Sequence, residues 1–371
     1  MPRSPTTDGR RRVLGGIGAV GLTALAGCLG GAGLPAGSSD DGADDDTADE
    51  NGGPPTVDRS LSKEYPIDRL NEESMDGGPG PDGIPSIDDP AFAPADDPPT
   101  NLDGDDPVFG VEFDGEAKAY PQYTLVWHEI VNDVVGGESV AVTYCPLTGT
   151  AQGFERGSTT FGVSGRLLNS NLIMYDRARE DYWPQMLATS IRGDREGAHL
   201  EEFPVTWTSW ERWHAAYPET RVLSEDTGYA RNYDDDPYGT YDPAGGYYTS
   251  DSTIFEPYAD VDESVLHPKA VVLGARSADG AIAVEKEALA DAGVLEGSVG
   301  DVPYVIVYEP SLDTGYVYRN PEATEVSYDD GAVLVDGDRY DPDGLPLDRV
   351  LRYDAFWFAW AGYYPDTELL T

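Results

Sequence analysis

Cys145 stands in the run V-T-Y-C-P-L-T-G-T, and apart from Cys28 it is the only thiol in a chain of 371 residues. His128 and Glu129 precede it in the run H-E-I-V-N-D. A thiol with an imidazole and a carboxylate within reach admits three roles. As a nucleophile, Cys145 needs a base at hydrogen-bond distance, and His128 is the nearest in the chain, with Glu129 beside it. As a soft-metal ligand, Cys145 with His128 and a methionine, Met174 or Met186, suits copper better than zinc. As a small apolar group near a strand end, it needs no partner at all.

Other motifs are excluded by what they lack. His128-Glu129 has no second histidine four residues on, so this is not the helix of a zinc protease. G-V-S-G at 162–165 lacks the closing glycine of a serine-hydrolase elbow, since Arg166 stands there, and reads as a turn. His199, His214 and His267 have no metal-ligand spacing to one another. The segment FGVSGRLLNSNLIMYDRAREDYWPQM crowds Ser164, Arg166, Asn169, Asn171, Tyr175, Asp176, Arg177 and Gln185 among apolar residues. Those side chains are the candidates for lining a ligand pocket.

The elements that must position these groups occur twice. Setting residue n beside residue n+164 matches Gly110 with Gly274, Ala119 with Ala283, Leu125 with Leu289, Tyr144 with Tyr308, Pro146 with Pro310 and Thr150 with Thr314. Further on, W-x-x-W-x-x-x-Y-P-E-T at 210–220 answers W-x-x-W-x-x-x-Y-P-D-T at 357–367. Matched spacing at one register predicts an internal duplication, with a first repeat at 107–220, a Tyr/Asp-rich connector at 221–268 and a second, degenerate repeat at 269–371.

Each repeat reads as a hairpin turning at a D-G pair, a short helix over YPQYTLVWHEIVND, and further strands SVAVTYC, AQGFER, TTFGVSG and NLIMYDR. The Trp-rich ending places its aromatic residues on one helical face, which is a core stripe. The predicted class is α+β, β-rich, with two tandem duplicated halves packed together. Opposite Cys145 stands Glu309, opposite His128 stands Ala292, and opposite Glu129 stands Gly293, so the polar chemistry belongs to the first half alone.

The amino terminus points outward from the cell. Arg10 to Arg12 precede an apolar run too short to span a bilayer, and the run ends in Leu25-Ala26-Gly27-Cys28. This predicts a twin-arginine signal peptide over 1–27, with a lipobox whose Cys28 carries lipid and anchors the protein on the outer face of the cytoplasmic membrane. Residues 28–58 form an acidic tether too poor in apolar side chains to fold, and 59–106 a Pro/Gly/Asp-rich lead-in. Lys and Arg number 24 against 69 Asp and Glu, a net charge of −45. That charge excludes nucleic acid as a partner and suits concentrated salt.

HEIVND, VTYCPLTGTAQGF, FGVSGRLLNSNLIMYDR and FWFAWAGYYPDTE together resemble the uncharacterised DUF-3179 family over roughly residues 60–371. The export and acidic features resemble a haloarchaeal lipoprotein member. The resemblance implies that Tyr144 to Leu147, Gly162 to Ser170 and Met174 to Arg177 are family hallmarks, and it implies no mechanism. Many similar proteins carry a second cysteine as C-P-L-C, where this chain has Thr148, which weakens a dithiol role and leaves a single-thiol or structural one. The expectation is a lipid-anchored protein whose first repeat binds a metal ion, copper favoured, or a small ligand. The alternatives are an enzyme with Cys145 as nucleophile and His128 as base, or a partner-binding surface lipoprotein without catalysis.

Overall fold

The computed structural model describes residues 52–371, apart from residues 62, 242–243, 259–260, 262–263 and 330. The predicted signal peptide, the Cys28 lipidation site and most of the tether lie outside the described residues. The described residues form one compact unit, and it is strand-rich with short helices, an α+β architecture. Among the described residues no helix is long and apolar enough to cross a membrane.

The D-G hairpin forms as expected. Pro107–Phe113 and Glu116–Pro121 pair antiparallel around Asp114 and Gly115, both at positive φ (47° and 81°), the geometry of a type I′ reversal that suits strand twist. Ser209 caps the Trp-rich helix Trp210–Ala216 by accepting from the Arg212 N–H. The helix then packs its Trp213 ring flat on Gly110, where an added Cβ would lie 2.2 Å from the ring.

The helix predicted over 120–133 is shorter than its sequence suggested. It covers only Gln122–His128 and stops at Glu129, which adopts the left-handed conformation (φ 59°) with its N–H bonded to the Leu125 carbonyl at 2.8 Å. The β-branched pair Ile130 and Val131 then enters a strand, Ile130–Val135, in register with Thr143 and Val142 of the strand Glu138–Cys145. Propensity decides this boundary, since Ile-Val fits a pleated surface better than a helix turn.

The strand order of the first half recurs in the second. Thr206–Ser209, Pro107–Phe113, Glu116–Pro121 and Arg221–Leu223 lie side by side, antiparallel except for the last, parallel pair. Arg352–Phe356, Val271–Ser277, Gly280–Glu285 and Glu368–Leu370 follow the same order and directions. A second sheet of Ile130–Val135, Glu138–Cys145 and Thr150–Glu155 likewise has a counterpart in Val294–Val299, Val302–Glu309 and Thr314–Arg319. Gly274 lies under Trp360 as Gly110 lies under Trp213, again with 2.2 Å for an added Cβ. Each of these indoles donates to a threonine seven residues on, Thr220 and Thr367, at 3.0 Å.

Contacts between the halves converge on the turn after Cys145. The Phe356 N–H donates to the Thr148 carbonyl at 2.8 Å, and the Phe356 ring fills the space over Gly149, whose φ of 54° and lack of Cβ make the approach feasible. Tyr363, on the helix Trp357–Tyr363, donates to the Leu168 carbonyl at 2.8 Å. A buried ion pair, Arg276 to Glu202 at 3.0 Å, ties the two halves at a second place.

Candidate functional site

Cys145 ends its strand in an apolar cluster with Ile130, Leu147, Leu172, Met174 and Trp183, against which Tyr238 and Tyr247 of the connector pack. It is a free thiol, 1% exposed. Its sulfur lies 3.8 Å from the Ser170 carbonyl, to which the S–H donates. Burial pushes the thiol up to about 11, a neighbouring Glu129 charge adds to the rise, and the Thr148 hydroxyl with the N–H groups of Leu172 and Thr148 partly oppose it. At rest the sulfur is therefore a protonated thiol, and a poor target for oxidants.

The position of the second cysteine in the C-P-L-C pattern is occupied by Thr148, whose hydroxyl opposes part of the rise that burial gives the thiol. That turn is held by a buried amide network. The Asn171 amide donates to the Thr148 hydroxyl (3.0 Å) and to the Gln185 Oε1 (2.9 Å), and its Oδ1 accepts from the Met186 N–H (3.0 Å). Gln185 donates onward to the Thr143 hydroxyl and the Thr150 carbonyl. Every one of these bonds is internal, so Asn171 and Gln185 hold the Thr148 hydroxyl and the turn after Cys145.

Glu129 is the electrostatic neighbour of that sulfur. Its backbone carbonyl accepts from the Tyr144 N–H at 2.8 Å, which brings it beside the end of the Cys145 strand. Only 6% of the residue is exposed, its carboxyl has no hydrogen-bond or ionic partner among the described residues, and desolvation lifts it to about 8. The second half solves the same backbone problem with Gly293, at φ 75° and ψ −34° against 59° and −28° for Glu129. Gly293 also makes the same two bonds, to Leu289 and Tyr308, each 2.8 Å. A glutamate there costs roughly 1 kcal/mol in left-handed backbone, before its desolvation is counted.

His128 faces elsewhere. Its Nδ1 lies 2.8 Å from the Pro85 carbonyl, which only accepts, so Nδ1 carries the proton. Its Nε2 accepts from the Tyr233 hydroxyl at 2.7 Å, and that hydroxyl sits 2.6 Å from Thr227 Oγ1. Burial lowers the imidazole below its ordinary value, which keeps it neutral. The ring therefore clamps the lead-in to the connector, and neither nitrogen is left for the thiol or for a metal shared with it. Tyr233→Phe is expected to strand Nε2 and lower stability by about 1–2 kcal/mol. A shift of the urea midpoint measures this, and an unchanged midpoint would show that the clamp carries no stability.

The remaining pocket candidates are mostly occupied in holding the chain. Ser164 donates to the Ile173 carbonyl, and Arg166 to Ser74. Tyr175 donates to Asp82, while Arg177 bridges Asp82, Asp88 and Ser86 of the lead-in. Asp176 accepts from the Trp183 indole. Asn169 is the exception. It is 2% exposed, at φ 51°, with neither amide atom hydrogen-bonded among the described residues, and it lies against Gly362 of the second half. Among the described residues no three His, Cys, Asp or Glu side chains gather to hold a metal ion.

Two groups at the site escape sequence reasoning. Tyr238 and Tyr247 lie in the connector; burial raises both phenols, and ionisation of Glu129 and then of Cys145 would raise Tyr238 further, as ionisation of Cys145 would Tyr247. The Tyr247 hydroxyl donates to the Leu147 carbonyl at 2.7 Å, whereas that of Tyr238 has no hydrogen-bond partner among the described residues. The only hint in sequence is the density of tyrosine in P-Y-G-T-Y-D-P-A-G-G-Y-Y, a loop otherwise built of turn residues.

The fold and site together define a β-rich α+β protein that buries a thiol in an apolar cluster packed by two tyrosines of the connector, within the electrostatic reach of the Glu129 carboxyl. The chain belongs to the DUF3179 family, described as a protein of unknown function, whose model matches residues 81–367. No curated protein and no solved structure matches it.

Proposed function

We propose that this is a cysteine-dependent acyl-transfer enzyme in which Cys145 is the nucleophile and Glu129 the general base. The observation that carries this reading is Glu129 itself: a buried carboxyl without a partner, on strained backbone, beside the sulfur. Such a residue harms stability and has no structural use, which is the signature of a functional group. The difference between the two pKa values makes transfer of the thiol proton to Glu129 uphill by roughly 4 kcal/mol, a cost that bound substrate can offset.

In the reaction the Cys145 proton passes to a Glu129 carboxylate oxygen as the sulfur adds to the acyl carbon. The free Tyr238 hydroxyl donates to the developing oxyanion. The leaving group departs with the proton from Glu129, and water, deprotonated by the same carboxylate, then cleaves the thioester. The buried, protonated thiol is inert at rest, which suits an oxidising compartment.

The amino-terminal features support an exported protein, lipid-anchored through Cys28, and the acidic composition supports a salt-rich setting. The repeated strand order, the paired glycine and tryptophan contacts and the matched sequence register support a tandem duplication, in which the second copy has lost the polar groups and serves as a wall.

With p-nitrophenyl acetate as probe, a burst of p-nitrophenolate stoichiometric with protein and an acetylated Cys145 peptide are expected, with a rate that climbs as pH passes through about 8 as Glu129 ionises. Glu129→Gln should slow the burst about a hundredfold. A burst of equal rate in Glu129→Gln, or none in the wild type, would refute the assignment.

A further inference from the structure

A cavity of about 270 Å³ lies between the two halves, lined by Pro204 of the first and by Arg349, Val350, Leu351 and Arg352 of the second. The chain changes sheets at both places. Glu202–Phe203 pairs with Thr150–Glu155 and Thr206–Ser209 with Pro107–Phe113, so Pro204 stands in one crossing. Asp348–Val350 pairs with Thr314–Arg319 and Arg352–Phe356 with Val271–Ser277, so Leu351 stands in the other. The register that sets 210–220 beside 357–367 also sets Pro204 beside Leu351, but it places Glu202 opposite Arg349 and Val205 opposite Arg352. Both cations of the cavity are therefore peculiar to the second half.

Neither arginine has a counter-charge. Arg352 is 3% exposed; its Nε donates to the Gly315 carbonyl at 2.9 Å and its Nη1 to the Val205 carbonyl at 2.7 Å, while its Nη2 has no hydrogen-bond partner. Asp354, two residues on, pairs with Lys286 at 3.4 Å instead. A buried guanidinium left in this state is costly. Arg349 is exposed, its guanidinium 4.2 Å from the centre of the Tyr316 ring, and it makes no side-chain hydrogen bond or ion pair among the described residues. The Arg352 guanidinium lies 5.8 Å from the same ring. In a chain with 69 acidic residues, two arginines left unpaired around one cavity point to an anion from outside. The other walls, Pro204, Val350 and Leu351, are apolar and suit a hydrocarbon part. We propose that this cavity binds a small carboxylate with a short apolar body, with Arg349 holding the carboxylate at the mouth and Arg352 supplying charge from the wall. None of its lining residues belongs to the Cys145 cluster, so the proposal stands apart from the acyl-transfer reading.

Calorimetric titration of the folded chain at constant ionic strength tests this with three probes: butyrate, the neutral butyramide and inorganic phosphate. Butyrate should saturate a single site per chain. Butyramide keeps the apolar body without the charge and should bind at least about tenfold more weakly. Phosphate has charge but no apolar part, and it should also bind more weakly than butyrate. Arg349→Gln removes an exposed side chain that bonds to nothing, so the variant should melt as the wild type does while its butyrate affinity falls at least about tenfold. Absence of saturable butyrate binding overturns the proposal, as does an unchanged affinity in Arg349→Gln. Equal affinity for butyramide would mean an apolar groove that reads no charge, and tighter binding of phosphate would mean a phosphate site; either result refutes the carboxylate assignment.

Discussion

Replacing Glu129 with glutamine is expected to make the protein more stable at alkaline pH and to silence Cys145. In the folded chain the carboxyl is raised from its ordinary 4.5 to about 8, so the native state holds this proton more tightly than the unfolded state does. A raised value contributes stability that is fully present below about 4.5 and is lost as pH climbs through 8. The wild type should therefore lose stability relative to Glu129→Gln across that window, by an amount that approaches roughly 3–5 kcal/mol above pH 8. Urea unfolding of both proteins at pH 5, 7 and 9 measures it. Parallel stability curves would mean that the carboxyl is hydrated or paired in solution. The same substitution removes the proton acceptor for the thiol, so stability and reactivity should move in opposite directions, as they do where strain serves function.

Gly110→Ala and Gly274→Ala are expected to destabilise the protein by similar amounts, roughly 3 kcal/mol each, at the upper end of overpacking costs. In both places the new methyl would stand 2.2 Å from an indole, Trp213 in one half and Trp360 in the other. Neither ring can withdraw easily, because each is fixed by an indole hydrogen bond to a threonine at 3.0 Å. Thermal melts of the two variants give the comparison. Under the proposed duplication the two losses agree within a factor of about two, and a large loss in one with none in the other would mean that the halves do not share this packing unit. Gly274→Ala lies in the half without a thiol, so its acylation burst should survive wherever the protein remains folded.

Much of the frame is legible in residue order. The type I′ hairpin follows from Asp114-Gly115, because only such pairs take positive φ cheaply at both central positions. The Trp213 and Trp360 contacts follow from periodicity, and the glycines beneath them from a matched register. The helix end at Glu129 was harder to see, because a glutamate gives no sign that it will adopt a conformation usually left to glycine. Its counterpart Gly293 did carry that sign.

The site itself was only half legible. Comparing the halves singled out Cys145, His128 and Glu129, since each stands where the second half has no equivalent group. It gave no means to rank them, and proximity in sequence favoured the imidazole. Tertiary contacts reverse that order. Pro85 comes from the lead-in and Tyr233 from the connector, and together they occupy both imidazole nitrogens, while Glu129, at a left-handed helix end, is the residue whose charge bears on the thiol.

By itself, then, the sequence determined the class of fold and which residue types stand in one half without a counterpart in the other, because those depend on local propensity, register and residue type. Only the tertiary structure decided where the imidazole is bonded, which charged group bears on the Cys145 thiol and which tyrosines pack against its cluster. Hydrogen-bond partners and desolvation are set by segments distant in the chain, and no local pattern encodes them.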